Sequence, residues 1–425
     1  MMEWDVEVDG VKVLKGVVSN LDVQPQVTAK VNLEYNVSDI CEAAGLASLD
    51  GSDVYLNVRY VLKKADGVLP ADSQVAYDQI ALNEAAMPVP AAVAGLPAMK
   101  HENGVYEFSG NMKWNGADND RILPWAVIFD EQTGAIVSYK VDKKQMVSEP
   151  LMPCFGRAMT ENDIGAKFHN KLSGWLYPEF KVSELDVVQN DDCYSVSVVY
   201  APMNISAVNS KSSPMECVAN VTMTYQVYAD GTVKGVETMT DGGNLAAAGT
   251  LPRFGMEFAM PGQFSVFEFF GNGPFENYCD RNSAAMMGHY VQRVEDQYHW
   301  GYARPQESGT KTQLKWMKVL DDNGTGLMIT SDVRFSASAL PLSRRQLDLS
   351  LTGGERKENG DVRHSLDMKK LACENIRSEG KTYVNFDLKQ MGVACVNSWG
   401  AWPREEHLVK GSQFEFTFYI SPVNN

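Results

Sequence analysis

The 425-residue sequence predicts an all-β protein, an immunoglobulin-like sandwich followed by a much larger antiparallel sandwich. Segments that alternate apolar and polar residues recur from end to end, the pattern of strands with one face buried. Turn signals rich in Gly and Asp separate them. Sustained helical periodicity is scarce, its best stretch being Asn282 to Gln292.

Asp5 to Val8 and Val11 to Leu14 flank Asp9-Gly10, a pair suited to a two-residue hairpin turn. Thr28 to Tyr35 sets Ala29, Val31, Leu33 and Tyr35 on one face, and Val54 to Leu62 and Val75 to Leu82 alternate likewise. Closely spaced short strands of this kind predict the immunoglobulin-like sandwich over residues 1–85. Residues 84–98 then carry no charge after Glu84 and hold three prolines. Proline fixes φ and removes a donor, so residues 86–99 read as a semi-rigid linker.

Residues 100–425 are again strand-rich. Trp125 to Phe129 and Ala135 to Lys140 flank a turn with Gly134, and Cys193 to Tyr200, Val218 to Tyr228 and Tyr383 to Leu388 follow the same rule. Phe414 to Ile420 sets Phe414, Phe416 and Phe418 on one face. A single large antiparallel sandwich accounts for this stretch.

The net charge is −16 and no Lys/Arg cluster occurs, which argues against nucleic acid and anionic membrane surfaces as partners. A neutral sugar is compatible with it. No apolar run approaches the ~20 residues of a membrane-spanning helix. Met1 to Val6 has neither the basic nor the apolar region of a signal peptide and reads as strand. A piece of a longer parent would open in this way, which leaves its compartment unassigned. The seven cysteines, at 41, 154, 193, 217, 279, 373 and 395, show no C-x-x-C spacing and read as small buried thiols. The six histidines are scattered, without metal-ligand spacing.

Several longer motifs carry more information. Arg157-Ala-Met-Thr-Glu-Asn-Asp-Ile-Gly165 is followed by Trp175. Gly271-Asn-Gly-Pro-Phe-Glu-Asn-Tyr-Cys-Asp-Arg281 precedes Tyr302-Ala-Arg-Pro-Gln-Glu-Ser-Gly309. Phe335-Ser-Ala-Ser-Ala-Leu340 and Gln390-Met-Gly-Val-Ala-Cys-Val-Asn-Ser-Trp-Gly400 complete the set. In order and spacing these segments resemble the small-chain region of family 2 glycoside hydrolases of the β-galactosidase type.

That resemblance implies a galactose-mutarotase-like supersandwich, preceded in the parent by a (β/α)₈ barrel with two catalytic glutamates. A retaining hydrolysis needs those carboxyl groups about 5 Å apart, and nothing in this chain matches the segments that carry them. The resemblance further implies that Trp399 stacks on the sugar in the aglycone position, with Asn397 beside it among the substrate-binding residues. An indole face suits the C–H face of a pyranose. Here Ala394-Cys395-Val396 stands where the family has Gly-Gly-Asp, so Trp402 is a second candidate for the stacking role. Glu276, Asn277, Asp280 and Arg281, and Arg157 with Asn162 and Asp163, are candidates for bracing turns, with a catalytic-looking cluster of Glu276, Asp280 and Arg281 or a barrel-facing role as the alternatives.

No cofactor is expected in this chain, whereas the parent's barrel is a place for a divalent metal and sodium. The expected partners are a β-galactoside and the catalytic barrel, with an oligomer open in the parent. Two other functions stay open, a self-standing carbohydrate-binding module and an aldose mutarotase-like enzyme. The aromatic stretch Tyr290 to Tyr302 suits an inter-domain surface or a sugar groove equally.

Overall fold

The computed structural model describes residues 1–425 except 25, 92, 115–120, 203–218, 244, 246–248, 303, 349–376, 394–396, 398–399 and 425. The chain divides into two compact units, Met1–Ala86 with Met286–Tyr290, and Met87–Ala285 with Val291–Asn425.

The smaller unit holds β1 (Met2–Val8), β2 (Val11–Val18), α1 (Val37–Ala44), β3 (Val54–Val61) and β4 (Gln74–Asn83). Its strands form one antiparallel sheet in the order β2-β1-β3-β4. Asp9 and Gly10 both take positive φ, 50° and 83°, in the predicted hairpin turn. Met2, Trp4, Val6 and Val8 of β1 meet Val54, Leu56 and Val58 of β3 and Ile40 of α1 in one core. The expected strand at Thr28 to Tyr35 does not form. Leu33 and Tyr35 pack against the core from an irregular segment, the Tyr35 ring tilted 5.2 Å from that of Trp4, whereas Ala29 and Val31 are exposed, so only the end of the alternation reflects burial, without strand pairing. Helix α1 has a capping box between Asn36 and Asp39 and ends at Gly45 in the left-handed region.

The larger unit runs through β5 (Ala98–Glu102), β6 (Val105–Trp114), β7 (Arg121–Asp130), β8 (Ile136–Val141), β9 (Lys144–Gln145) and β10 (Glu149–Cys154). Three short helices follow, α2 (Glu161–Gly165), α3 (Phe168–Lys171) and α4 (Ser173–Leu176). Next come β11 (Val182–Gln189), β12 (Cys193–Tyr200), β13 (Ala219–Tyr228), β14 (Val233–Asp241), β15 (Arg253–Pro261) and β16 (Val266–Gly273). The rest comprises β17 (Met286–Arg293), of which Met286–Tyr290 counts with the smaller unit, then β18 (Lys311–Leu320), β19 (Thr325–Leu340), α5 (Arg344–Leu347), β20 (Lys381–Gln390) and β21 (Gln413–Asn424). The helical expectation at Asn282 to Gln292 is corrected here, since Met286–Arg293 is a strand.

Antiparallel pairing builds two layers. In one, β11, β12, β13, β14 and β21 lie side by side. This layer continues through the first half of β19, then β18 and β16. In the other, the second half of β19 pairs with β20, which leads to β15, β10, β8, β7, β6 and β5. The 16-residue β19 therefore belongs to both, pairing with β21 over Thr325–Ser331 and with β20 over Ser336–Leu340.

Aromatic side chains fill the space between the layers. Phe108 contacts Tyr194 at 5.4 Å, Phe129 contacts Tyr225 at 5.1 Å, and Phe386 contacts Phe418 at 5.0 Å. Phe414, Phe416 and Phe418 are all buried, as their spacing predicts. Cys41, Cys154 and Cys193 are buried free thiols, but Cys279 is exposed, which corrects the expectation for that residue.

Candidate functional site

The candidate site is built by the motif segments around the loop that follows β20. Arg157 lies in the stretch between β10 and α2 and is fully buried. Its Nε and Nη2 donate to the Asp163 carboxylate at 3.0 and 2.7 Å, a bidentate pair. Its Nη1 also donates to the Met391 carbonyl, and Nη2 to the Gly392 carbonyl at 3.0 Å. Burial disfavours the guanidinium charge, but Asp163 outweighs it and raises the Arg157 pKa. Asp163 is itself fixed, because it forms the capping box of α2 with Thr160. Asn162 donates from Nδ2 to the Val393 carbonyl at 3.0 Å. Residues 157–163 therefore hold the backbone of Met391, Gly392 and Val393.

A second motif holds the same backbone from elsewhere. Asp280 Oδ1 accepts from the Val393 N–H at 3.1 Å, and a Cβ on Gly392 would overlap the Asp280 carboxylate. At the far end of the loop, Gly400 has φ of 82° and its Cα packs on the Gly165 carbonyl, again with no room for a Cβ. The loop is thus fixed at both ends by segments far away in sequence.

Glu276 is the hub of the second and third motifs. It accepts from Arg281 Nη2 at 2.6 Å and Tyr302 Oη at 2.5 Å through Oε1. Through Oε2 it accepts from Ser308 Oγ at 3.1 Å and the Gly309 N–H at 2.9 Å. Burial favours the neutral acid, but these donors outweigh it and lower the Glu276 pKa. Both oxygens are committed to bracing the turn. Asn277 is fully buried, donating to the Asn272 and Phe275 carbonyls and accepting from Thr312. Phe335–Leu340 is the second half of β19, and its Leu340 packs with Ala158 and Tyr298.

Trp399 and the Ala394-Cys395-Val396 segment lie outside the described residues. Asn397 is an exposed loop residue. Trp402 is half-buried, with its ring edge-on to Phe168 of α3 at 4.5 Å and Lys171 Nζ 5.0 Å from the ring centroid. Sequence reasoning missed the Asp280–Gly392 contact and the parts of Tyr302 and Ser308 in holding Glu276. The only signal for them was membership in the motifs. Among the described residues, no group of three or more His, Cys, Asp or Glu is placed to hold a metal ion.

The pairing of the strands and the meeting of the first two long motifs at one loop define a large two-layer antiparallel sandwich. Residues 122–420 match the family described as β-galactosidase small chain, and residues 1–83 match β-galactosidase, domain 4. The chain belongs to the β-galactosidase small-chain family. It is 27% identical over 425 residues to the β-galactosidase of Priestia megaterium, covering 99% of this chain and 36% of that protein. It is 28% identical over 303 residues to the enzyme of Halalkalibacterium halodurans, covering 70% and 27%. The chain thus spans about a third of the length of the curated relatives it matches. Among solved structures it is similar to a galactose 1-epimerase from Lactobacillus acidophilus, with 6% identity and a TM-score of 0.33, covering 75% of this chain and 99% of that one.

Proposed function

We propose that this chain is a non-catalytic part of a β-galactosidase that hydrolyses terminal β-galactosides. In that reading the sandwich covers the active site of a catalytic barrel elsewhere in the parent, and the loop from Met391 to Gly400 presents Trp399 to the aglycone. The barrel supplies the acid/base and the nucleophile of a retaining reaction, whose two carboxyl groups lie about 5 Å apart. The observation that carries the reading is the double fixation of that loop, by Arg157, Asn162 and Asp280 at one end and Gly165 at the other. A stacking aromatic is useful only if held in place, because positional error lowers the rate.

The test has two arms. The isolated chain should release no nitrophenol from an aryl β-galactoside. In the parent enzyme, Trp399→Ala should raise KM and weaken acceptor binding by about tenfold, the effect of losing about 1.4 kcal/mol, with an unchanged melting temperature. Hydrolysis by the isolated chain, or unaltered kinetics of the variant, would overturn the reading.

A further inference from the structure

The larger unit carries a second feature that this loop does not use. A cleft of about 510 Å³ opens between the Pro274–Phe275 turn and the segment from Val291 to Trp300. Two aromatic rings at its rim stand in water, Phe275 at 48% exposure and Trp300 at 46%. Trp300 is nevertheless held. Its Nε1 donates to the Glu295 carbonyl at 3.2 Å, and its ring meets Tyr298 edge-to-face at 4.7 Å. An exposed indole fixed in orientation is a platform that loses little side-chain entropy on binding.

Polar groups line the same cleft. Lys311 is buried and donates to Gln297 Oε1 at 2.7 Å and to the Gly309 carbonyl at 3.1 Å. Gln292 donates from Nε2 to the Pro274 carbonyl at 2.9 Å, while its buried Oε1 has no donor among the described residues. Turning the terminal amide torsion, which is soft, would expose that buried acceptor to a ligand hydroxyl in exchange for the Pro274 bond.

The charges nearly cancel. Arg293 pairs with Asp322 at 2.5 Å and Glu276 with Arg281 at 2.6 Å, which leaves Lys311 and Asp296 with opposite signs. An ionic ligand gains little here. A neutral molecule with an apolar face and a rim of hydroxyls matches the lining, and that is the chemistry of a pyranoside.

We propose that this cleft is a secondary saccharide-binding site, with a pyranose ring stacked on Trp300, flanked by Phe275 and hydrogen-bonded to Gln292. The inference stands apart from the reading of the Trp399 loop. It is tested by calorimetric titration of the full 425-residue chain with methyl β-galactoside and with lactose, with tryptophan fluorescence as a second signal. Saturable binding in the millimolar range is expected, as suits a single stacked sugar. Trp300→Ala should weaken it at least about tenfold with an unchanged thermal melt, and Phe275→Ala should weaken it less. Trp399→Ala should leave it intact, which separates this site from the one tested by hydrolysis. The absence of saturable binding, full affinity in Trp300→Ala, or loss only in Trp399→Ala would overturn the proposal. A change of oligomeric state in Trp300→Ala with sugar affinity retained would overturn it in favour of a protein contact.

Discussion

Gly392 packs its bare Cα against the carboxylate of Asp280, and the same carboxylate accepts the N–H of Val393. A Cβ at position 392 would overlap that carboxylate, so a side chain there requires Asp280 or the backbone to shift. The loop that runs on to Trp399 therefore begins from a backbone position set by a residue over a hundred places earlier in the chain.

Gly392→Ala should force Asp280 or the loop to move and cost about 1–3 kcal/mol, the range for overpacking a filled site. Urea denaturation would measure it. Gly392→Ala with Asp280→Ala should recover part of the loss, because the second change removes the overlapping group. A single variant as stable as the parent would contradict the contact.

Arg157→Met should be among the most damaging substitutions. It leaves the Asp163 carboxylate buried without its guanidinium and frees the carbonyls of Met391 and Gly392. Breaking a buried pair from one side typically costs about 3–5 kcal/mol. Replacing both partners by apolar residues should cost less than Arg157→Met alone, and a double-mutant cycle would measure the coupling.

Glu276 ties part of the stability to pH. Its pKa in the folded chain lies below the ordinary 4.5, because burial, which raises it, is outweighed by the bonds from Tyr302, Gly309 and Arg281 and by the Arg281 charge. Its contribution is complete above the unfolded value and is lost as pH falls through the folded one. Glu276→Gln should flatten the acid limb of a stability–pH curve below about pH 4.5 and lower stability at neutral pH.

Glu237 is linked in the opposite sense. It sits on β14 fully buried, neither oxygen has a hydrogen-bond partner among the described residues, and burial, with Asp387 adding to it, pushes its pKa well above the usual carboxylate range. The folded state therefore favours the neutral acid. That advantage is greatest below the unfolded value of 4.5 and declines as pH rises above it. Glu237→Met should stabilise the chain at neutral pH by about 1 kcal/mol or more, the scale of an unmade buried hydrogen bond. Urea midpoints at pH 5 and 8 should converge in the variant.

Much of the fold was legible because strand alternation is a local signal. The segments from Trp125, Cys193 and Phe414 became β7, β12 and β21. The same signal misled at Thr28 to Tyr35, where Leu33 and Tyr35 are packed on the core without pairing to a neighbour. Helix α1 was legible in its ends, since Asn36 with Asp39 and a following Gly45 form a capping pattern, but eight residues are too few to show a period. At the candidate site, the motifs named segments that meet in the fold. They could not show that Asp280 faces Gly392 or that Glu276 faces Ser308, because those contacts are set by the meeting of distant strands.

The place of β21 bears on the order in which the larger unit can assemble. This last described strand lies between β14 and β19, inside its layer and not at an edge. Until it is in position, β11 to β14 form a separate patch, with one open edge on β14 and no pairing to β19 and its neighbours. Pairings of this sequence separation form slowly and leave strand edges open meanwhile. During synthesis the sandwich therefore closes only after β21 has left the ribosome, and that interval, more than the finished structure, is when the chain is exposed to aggregation.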